Sequence, residues 1–544
     1  MKNWKKLLGA TATLSLLLTG IHTTDEVSAK GKSEHSHKEI SVEETGRYDS
    51  GAAFGEGGAE IVKYNKHNGY AYSINGHELS LDIIDVKNQK EGNIDLVKRI
   101  KLSEFGIEAS DLTSVAVHPS GEYIAVSAPA KDKTDKGHVV LFNKEGEHIK
   151  DLEVGSLPDM VTFSKDGKKL MVANEGEPSD DYKTNPEGSV SVIDTEKKPE
   201  SISQDDVHTL PFTKDNLPED LRQVGPNKED DYLNAEPEFI SVDDNNQFAY
   251  VTLQESNALA KVDIQSNEIV DVKSMGYKDY SSKRNRLDAS DKDDKHQLKH
   301  QPVLGMYQPD GIATYQKDGK TYVLTANEGD AQDYEGYSEE TRVEDLKDQT
   351  HLKAKHYDGY GQKKLDNMAD HKIFDEDSLG RLKVTKSHPF KDGDKHEAFV
   401  TYGGRSFSVY DTNLSQIFDS GDDLEKQTKK HAPDRFNAEY ESKEEFEADK
   451  RSDNKGPEAE SVEVGEVNGK TYAFVGLERT GGVMVYDISN PKHPKYVQYI
   501  YNKENKDISP EGITFIDKKD SPNGKPMLMV AHELTGTVTT YELD

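Results

Sequence analysis

One three-strand pattern repeats along this chain, and it constrains the fold more than any other feature of the sequence. Its C-terminal copy spans residues 509–541 and contains three short runs rich in β-branched and aromatic residues. Gly, Pro or Asn bounds each run, which is the pattern of short strands joined by tight turns. A chain that repeats one such unit folds as an array, because each unit buries its apolar face against its neighbours.

Seven copies of the unit are visible in the sequence. Their first strands begin near residues 59, 112, 157, 235, 308, 456 and 509. Three or four short strands per unit, with long charged insertions between some of them, predict an all-β fold, a seven-bladed β-propeller. Residues 382–411 either complete the fifth unit or form another one, so the sequence also permits eight blades.

The chain divides into three parts by composition. Residues 1–29 have the pattern of a secretory signal peptide, because lysines precede an apolar stretch that is too short to span a bilayer. Residues 30–38 are predicted to form a mobile polar tail, and residues 39–544 a single propeller domain. Within that domain, the alternating segment 39–50 is expected to pair with the last blade, which would remove two open sheet edges.

The net charge and the cysteine content limit the kinds of partner and metal site that this chain can have. The chain has 69 Lys and Arg against 102 Asp and Glu, a formal net charge of −33. Such a surface repels nucleic acid and anionic lipid, and it attracts divalent cations and cationic polymers. The absence of cysteine excludes disulfides and thiolate metal sites. We expect a monomer without a membrane span, secreted, extracellular or loosely associated with the cell wall, that binds an extracellular ligand or a cell-wall polymer.

Acidic residues recur at two positions of the repeat. The start of the first strand carries Glu60, Asp159, Glu236 with Glu238, Asp310, Glu458 with Glu460, and Glu511. The end of the second strand carries Glu175 with Glu177, Glu255, Glu328 with Asp330, Glu478, and Glu533. In an antiparallel pair these two positions lie side by side, and the first strand of a propeller blade is innermost. Both sets are therefore predicted to meet around the central channel.

Converging carboxylates repel one another unless a cation compensates them. Calcium, which takes six to eight oxygen ligands, fits such a group. The alternative for each single acid is that it accepts hydrogen bonds from the neighbouring backbone. A second acidic run, Asp288–Asp294, has a spacing that would let one loop wrap a hard cation, although it lacks the glycine and the distal glutamate of an EF-hand. A solvated loop is the alternative there.

These observations give two sets of candidate residues. The predicted metal ligands, for calcium, are Glu175, Glu177, Asp288, Asp291, Asp293, Asp310, Glu328, Asp330, Glu458, Glu460 and Glu511. The predicted ligand-binding residues are Arg405 and Arg479, which lie in glycine-rich loops, and His532. No catalytic residue is predicted, because the chain contains no nucleophile elbow, no zinc-protease motif and no phosphate-binding loop.

Several short motifs resemble those of a known family. They are Ala173–Glu177, Leu287–Asp291, Gly305–Ile312, Ala326–Asp330, Gly403–Phe407 and Gly456–Glu458. Together they resemble the choice-of-anchor I family of secreted β-propellers, which also takes in proteins labelled mesenchyme-specific cell-surface glycoprotein. The resemblance implies an extracellular propeller, often carrying or fused to a surface anchor. Some relatives are labelled alkaline phosphatase or are fused to a phosphoesterase domain.

Two functions follow from these predictions. The first is a secreted, acidic, calcium-binding propeller that acts as an extracellular or cell-surface binding module. The second is a calcium-dependent phosphoesterase that resembles propeller phytases, in which a ring of acids holds the metal ions that activate water. Fold analogy alone supports the second function, so whether the chain is an enzyme is left open at this stage.

Overall fold

The computed structural model describes residues 40–222, 224–227, 230–504 and 506–544. The predicted signal peptide and polar tail lie outside the described residues. Within the described part of the chain, no helix is long and apolar enough to cross a membrane.

Short antiparallel strands begin the described part of the chain. They are β1 (Val42–Asp49), β2 (Val62–Asn65), β3 (Tyr70–Asn75), β4 (Ser80–Lys90), β5 (Asn93–Lys101), β6 (Ser114–Val117), β7 (Tyr123–Ala128), β8 (Lys136–Asn143), β9 (His148–Ser156), β10 (Pro158–Phe163), β11 (Lys169–Asn174), β12 (Ser189–Asp194), β13 (Val207–Pro211), β14 (Pro237–Val242), β15 (Phe248–Leu253), β16 (Ala258–Asp263) and β17 (Glu268–Ser274).

The middle of the chain mixes strands with two α-helices. The strands are β18 (Tyr277–Asp279), β19 (Val303–Met306), β20 (Ile312–Lys317), β21 (Lys320–Asn327), β22 (Glu340–Arg342), β23 (Lys383–Thr385), β24 (Lys391–Asp392), β25 (Lys395–His396), β26 (Phe399–Thr401), β27 (Ser406–Tyr410), β28 (Gln416–Asp419), β29 (Glu439–Tyr440) and β30 (Phe446–Glu447). The helices are α1 (Gln362–Ala369) and α2 (Asp423–His431).

The last strands complete the repeat. They are β31 (Ala459–Val467), β32 (Lys470–Leu477), β33 (Val483–Asp487), β34 (Lys495–Ile500), β35 (Pro510–Ile516), β36 (Met527–His532) and β37 (Thr537–Leu543). Short 3₁₀ helices occur at Leu102–Phe105, Pro199–Ser201, Gln204–Asp206, Asp231–Asn234, Glu344–Gln349, Ala354–His356 and Pro433–Arg435.

The described strands form seven four-stranded blades. In chain order these are β2–β5, β6–β9, β10–β13, β14–β17, then β20, β21, β27 and β28, then β31–β34, and finally β35–β37 with β1. The innermost strands β2, β6, β10, β14, β20, β31 and β35 each contact the next, and β35 contacts β2. The seven-bladed prediction is confirmed. Strands β27 and β28 complete the fifth blade, so the material that might have formed an eighth blade belongs to the fifth.

The N-terminal strand closes the ring. β1 pairs antiparallel with β37, from Val42 opposite Leu543 to Asp49 opposite Thr537. It is the outer strand that the alternating segment 39–50 predicted. The same strand also fastens the last blade to the first, because the buried hydroxyl of Tyr48 donates a hydrogen bond of 2.7 Å to Oδ2 of Asp82.

Apolar side chains fill the space between blades, and β11 shows how. Its residues alternate in direction, as successive residues of a strand do. Leu170 and Val172 pack with the apolar residues of blade 2, whereas Met171 and Ala173 pack with those of blade 4. A strand buried on both faces therefore reads as a continuous apolar run.

The long insertions build a second core. Strand β26 lies in one insertion and pairs in parallel with β19 of another, and β18 completes a three-stranded sheet. Tyr280, Leu287, Leu365 and Phe399 are among the buried residues that pack together there. The insertions are charged, as predicted, but they are ordered around this apolar cluster, which we call the insertion module (residues 277–306 and 328–402). The sequence predicted long charged insertions and did not indicate this apolar core.

Candidate functional site

Irregular pairing at the start of four innermost strands turns an acidic side chain out of the regular ladder. In β10, Asp159 is an extra residue between Pro158, opposite Asn174, and Met160, opposite Ala173. The innermost strands β14, β31 and β35 have equivalent register shifts near their first residues. A β-bulge re-aims side chains and ends regular pairing. A proline that begins the strand adds to this, because it has no N–H to donate to the ladder.

Each blade contributes one acid at this position. The seven residues, which we call the acid ring, are Glu60, Asp111, Asp159, Glu238, Asp310, Glu460 and Glu511. Asp111 was missed by the sequence analysis, because it lies three residues before β6 rather than within the strand. An acid at this position in all six of the remaining units was the signal that would have identified Asp111.

The members of the acid ring face a common space. Burial raises the pKa of Asp310 well above its usual range, and after Glu328 the charges that add to this effect include Asp159 and Glu511. The same two causes, burial and then neighbouring carboxylates, raise the pKa of Glu460 and of Glu511. Charges from blades 3, 5 and 7 therefore act on one another across the channel, as the sequence predicted.

The densest carboxylate group lies between blades 5 and 6. Two groups of three acids each bring one carboxylate oxygen per residue within 4.8 Å of the others. The first group is Asp310, Glu328 and Glu460, and the second is Glu328, Glu458 and Glu478. Burial and the Glu458 charge outweigh Arg479 and raise the pKa of Glu478 to about 8. Such spacing allows several carboxylate oxygens to coordinate one hard cation.

Three basic side chains crowd against the same two blades. Arg451 Nη2 lies 2.6 Å from Glu458 Oε1, and Arg479 Nε lies 3.6 Å from Glu458 Oε2. Lys455 Nζ pairs with Glu328 and lies 3.5 Å from Glu458. Burial alone would raise the pKa of Glu458, but Arg451, Lys455 and Arg479 outweigh it and hold that pKa at about 2. Glu458, which lies beside the acid ring, is therefore ionised and its charge is compensated by these three basic side chains, among them the predicted ligand-binding residue Arg479.

Other predicted ligands of the channel have different neighbours. Glu177 accepts hydrogen bonds from Lys133 Nζ at 2.8 Å and from the Tyr334 hydroxyl at 2.9 Å. Asp330 is half-buried, with Lys455 Nζ 4.0 Å away. Burial raises the pKa of Glu238 well above its usual range, and the charges of Glu255, Asp310 and Glu175 add to this effect in that order. Glu175 therefore lies close to the acid ring.

A cavity lies along the innermost strands. Its volume is about 190 Å³, and its wall includes Lys63, Lys165 and Glu463 as well as Glu511 of the acid ring. Burial lowers the pKa of Lys63, and Glu463 partly opposes that effect. The channel is therefore acidic at the strand starts and mixed in charge further along.

The acidic loop of the insertion module does not converge as predicted. Arg381 Nε lies 2.7 Å from Asp291 Oδ1, and Lys299 Nζ lies 3.0 Å from Asp293 Oδ2. Asp288 is buried, and Gln297 N donates to its Oδ2. Asp291 and Asp293 thus pair with different basic side chains, while burial and nearby charges, Asp293 among them, raise the pKa of Asp288.

Arg405 and His532 lie inside the protein rather than facing the channel. The Arg405 guanidinium donates to Glu425 Oε1 at 2.9 Å and to the backbone oxygens of Asp288 and Ser452. His532 is buried against Thr539 Oγ1 at 3.0 Å, and burial lowers its pKa to about 4. The geometry assigns both residues structural roles in place of the ligand-binding role that the sequence suggested.

The fold and the site together define a seven-bladed propeller with an acid-lined channel. The profile of the choice-of-anchor I domain matches residues 60–491. The chain therefore belongs to the choice-of-anchor I domain family, as its motifs indicated.

Two curated relatives match parts of the chain. Gigasin-3a of Magallana gigas is 30% identical over 184 residues, which are 30% of this chain and 64% of that protein. The mesenchyme-specific cell surface glycoprotein of Strongylocentrotus purpuratus is 28% identical over 342 residues, 57% of this chain and 40% of that protein. The chain thus spans less than two thirds of the length of either relative.

Solved structures of low sequence similarity also align with the chain. Hydrazine synthase of Kuenenia stuttgartiensis aligns with a TM-score of 0.46 and 12% identity, covering 91% of this chain and 98% of that chain. The β-propeller domain of Myceliophteria thermophila Cps50 (Swd1) aligns with a TM-score of 0.41 and 8% identity, with the same coverage. The propeller assignment rests on the strand topology of this chain itself.

Proposed function

We propose that this protein is a secreted, extracellular or cell-surface binding module whose acid ring holds calcium and, through it, an extracellular ligand. The family and the name of the sea-urchin relative support the location. A calcium ion held partly by protein keeps some coordination positions for the oxygens of a ligand. Wall polymers and glycans rich in carboxylate or hydroxyl oxygens have that chemistry.

The carboxylates of Asp310, Glu328 and Glu460 carry this proposal. Their ligand atoms lie within 4.8 Å of one another. They bring three negative charges, and Lys455, paired with Glu328, returns one positive charge. The remaining charge of about two matches a divalent cation. In addition, Glu460 Oε2 is buried and accepts no hydrogen bond among the described residues, so it retains a lone pair for a metal.

Calcium titration tests the channel site. We expect chelator-treated protein to bind calcium, and Glu460→Gln to weaken binding at this site at least tenfold, because one ligand charge is lost. Glu466→Gln is the matched control, since Glu466 lies on the same strand β31 but is exposed. Isothermal titration calorimetry gives affinity and site number. Equal affinities for the wild type and both variants would refute the channel site.

Ligand retention tests the second half of the proposal. Wild-type protein should bind insoluble cell-wall or glycan material in calcium and be released by chelator. Glu460→Gln should be retained less than Glu466→Gln at a calcium concentration near the wild-type affinity. Retention that ignores calcium would place the ligand elsewhere on the protein.

A calcium-dependent phosphoesterase is the second candidate, and the basic residues beside the acids favour it. Arg479 Nη2 lies 3.0 Å from Glu478, and Lys455 contacts Glu328, so cations flank both carboxylate groups. Such cations would bind a phosphate held by calcium. Phosphate release from phytate and an aryl phosphate would decide between the candidates. Turnover in the wild type that falls a thousandfold in Glu511→Gln would replace the binding proposal.

A further inference from the structure

One position of the innermost strands departs from the repeat in two blades. Three residues after the member of the acid ring, five blades carry a small side chain: Ser114, Thr162, Ser241, Ala313 and Thr514. At the same position, blade 1 carries Lys63 on β2 and blade 6 carries Glu463 on β31. Two opposite charges therefore replace small residues on strands that otherwise follow the repeat.

Both charged side chains line the cavity along the innermost strands, which we call the channel cavity. Its wall of about 190 Å³ in enclosed volume includes Lys63, Thr162, Ser241, Ala313 and Glu463. Equivalent positions of different blades therefore surround one space. For comparison, an engineered apolar cavity of about 150 Å³ in another protein holds a benzene molecule. The channel cavity thus has room for a compact molecule of about six to eight non-hydrogen atoms.

Lys63 and Glu463 face this cavity without pairing with each other. Lys63 Nζ forms no ion pair and no hydrogen bond with the described residues. Glu463 Oε1 accepts a hydrogen bond of 2.8 Å from Val464 N, and its Oε2 accepts none in the part of the chain that the structure describes. Opposite charges inside a protein are expected to meet, because only a close partner offsets the cost of removing each charge from water.

The surrounding charges do not compensate this pair. Lys165, the other lysine of the wall, pairs with Asp244. Burial is the main cause that lowers the pKa of Lys63 and raises the pKa of Glu463. The attraction between the two residues opposes both effects only in part. A guest that brings one charge of each sign would therefore stabilise the ionised forms of both side chains.

We infer that the channel cavity binds a small zwitterion of the amino-acid type, whose carboxylate pairs with Lys63 and whose ammonium group pairs with Glu463. The charges of the two side chains cancel, so the pair favours a guest without net charge. A charge-assisted hydrogen bond at each end fixes the guest's orientation. The small residues at the equivalent positions of the other blades leave space between the two ends. The site uses none of the carboxylates that carry the calcium proposal, so it does not rest on the proposed function.

A matched series of small molecules tests the inference on the wild-type protein. L-Alanine carries both charges, propionate lacks the ammonium group, ethylamine lacks the carboxylate, and L-lactate has a hydroxyl in place of the ammonium group. Isothermal titration calorimetry in chelator should show saturable binding of L-alanine at millimolar concentration, at least tenfold tighter than the binding of the other three. Propionate that binds as tightly as L-alanine would overturn the assignment of Glu463. No binding of L-alanine, L-serine or glycine would overturn the site.

Two variants assign the contacts. Lys63→Met and Glu463→Gln each remove one charge at nearly constant side-chain length, and each should weaken L-alanine binding at least tenfold. The matched controls are Lys87→Met, exposed on β4 of the same blade as Lys63, and Glu466→Gln, exposed on the same strand as Glu463. Both controls should bind as the wild type does. Wild-type affinity in Lys63→Met would refute the site.

The ligand series on the wild type decides the inference even if a variant fails to fold. Because L-alanine binding is measured in chelator, its failure is distinguishable from a failure of the calcium proposal, which shows only in the calcium titration.

Discussion

The acid ring and the acidic loop of the insertion module use the same residue types with opposite results. In the ring, equivalent positions of seven blades aim carboxylates at one space, and Arg451, Lys455 and Arg479 pair with acids on the side of blades 5 and 6. In the loop, Asp291 and Asp293 lie only two residues apart, yet each pairs with its own basic side chain. A high local density of acids is therefore a poor guide to convergence. A repeated position in a closed ring is a better one, because symmetry brings its members together.

The two regions also differ in their effect on ionisation. Burial and mutual repulsion raise the pKa of ring acids such as Asp310 and Glu511. Burial would raise the pKa of Asp291 too, but hydrogen bonds from Arg381 and Lys292 outweigh it and lower that pKa. Ring acids such as these therefore oppose folding at neutral pH unless a cation is bound, whereas the paired Asp291 favours it.

Removing Arg405, which ties the acidic loop of the insertion module to α2 and to the segment before β31, should have the largest effect. Arg405→Ala leaves Glu425 buried and uncompensated, and the loss of one partner of a buried pair costs about 3–5 kcal/mol. Urea unfolding monitored by circular dichroism measures it. Arg405→Lys should recover only part of the stability, because a lysine cannot make the same four hydrogen bonds. A loss below about 1 kcal/mol for Arg405→Ala would show that Glu425 is tolerated at its buried position without a basic partner.

The raised pKa values of the ring acids predict that the stability of the folded protein depends on pH. Burial is the main cause that raises the pKa of Asp111 and of Asp159 to about 6. An unfolded aspartate titrates near pH 3.9. Between about pH 4 and pH 6 the folded state holds protons that the unfolded state has lost, so these residues make stability fall as the pH rises through that window.

A double variant isolates that contribution. Asp111→Asn with Asp159→Asn should be more stable than the wild type at pH 7 by about 1–2 kcal/mol. Two shifts of about two pKa units, at about 1.4 kcal/mol per unit, set an upper limit of about 6 kcal/mol, and the partial exposure of both side chains reduces it. The gain should shrink toward zero near pH 4. Denaturant unfolding in chelator at both pH values measures it, with the exposed Asp205→Asn of blade 3 as the control. A double variant that is less stable than the wild type at pH 7 would contradict mutual repulsion in the ring.

Substitution of a paired acid in the loop should have the smallest effect on stability, and it should lower stability rather than raise it. Asp291→Asn removes a partner of Arg381, which remains a quarter exposed, so the cost should be about 0.5–1 kcal/mol. The loss should disappear as the pH falls below the lowered pKa of Asp291. Thermal unfolding at low and high salt measures it, because screening weakens a partly exposed pair. A gain in stability would mean that the loop acids repel one another as the ring acids do.

Much of the fold was predictable because its signals are local and repeated. The strand runs, the turns between them and the acids at strand starts recur with the blades, so seven copies reinforce one interpretation. The closing strand β1 was predictable for the same reason, since a propeller whose last blade lacks an outer strand needs one from the other end of the chain. Even Asp111 follows from the repeat, although it lies just before its strand.

The sequence by itself therefore determined the propeller and the face on which its acids gather, and it limited the number of blades to seven or eight. The tertiary structure alone decided which acids have a basic partner, that Arg405 is buried against Glu425, and that the charged insertions enclose an apolar core. The physical reason is range. Strand period and turn chemistry are set by neighbouring residues, whereas the contacts of Arg405 with Glu425 and with the Asp288 backbone depend on how distant segments pack.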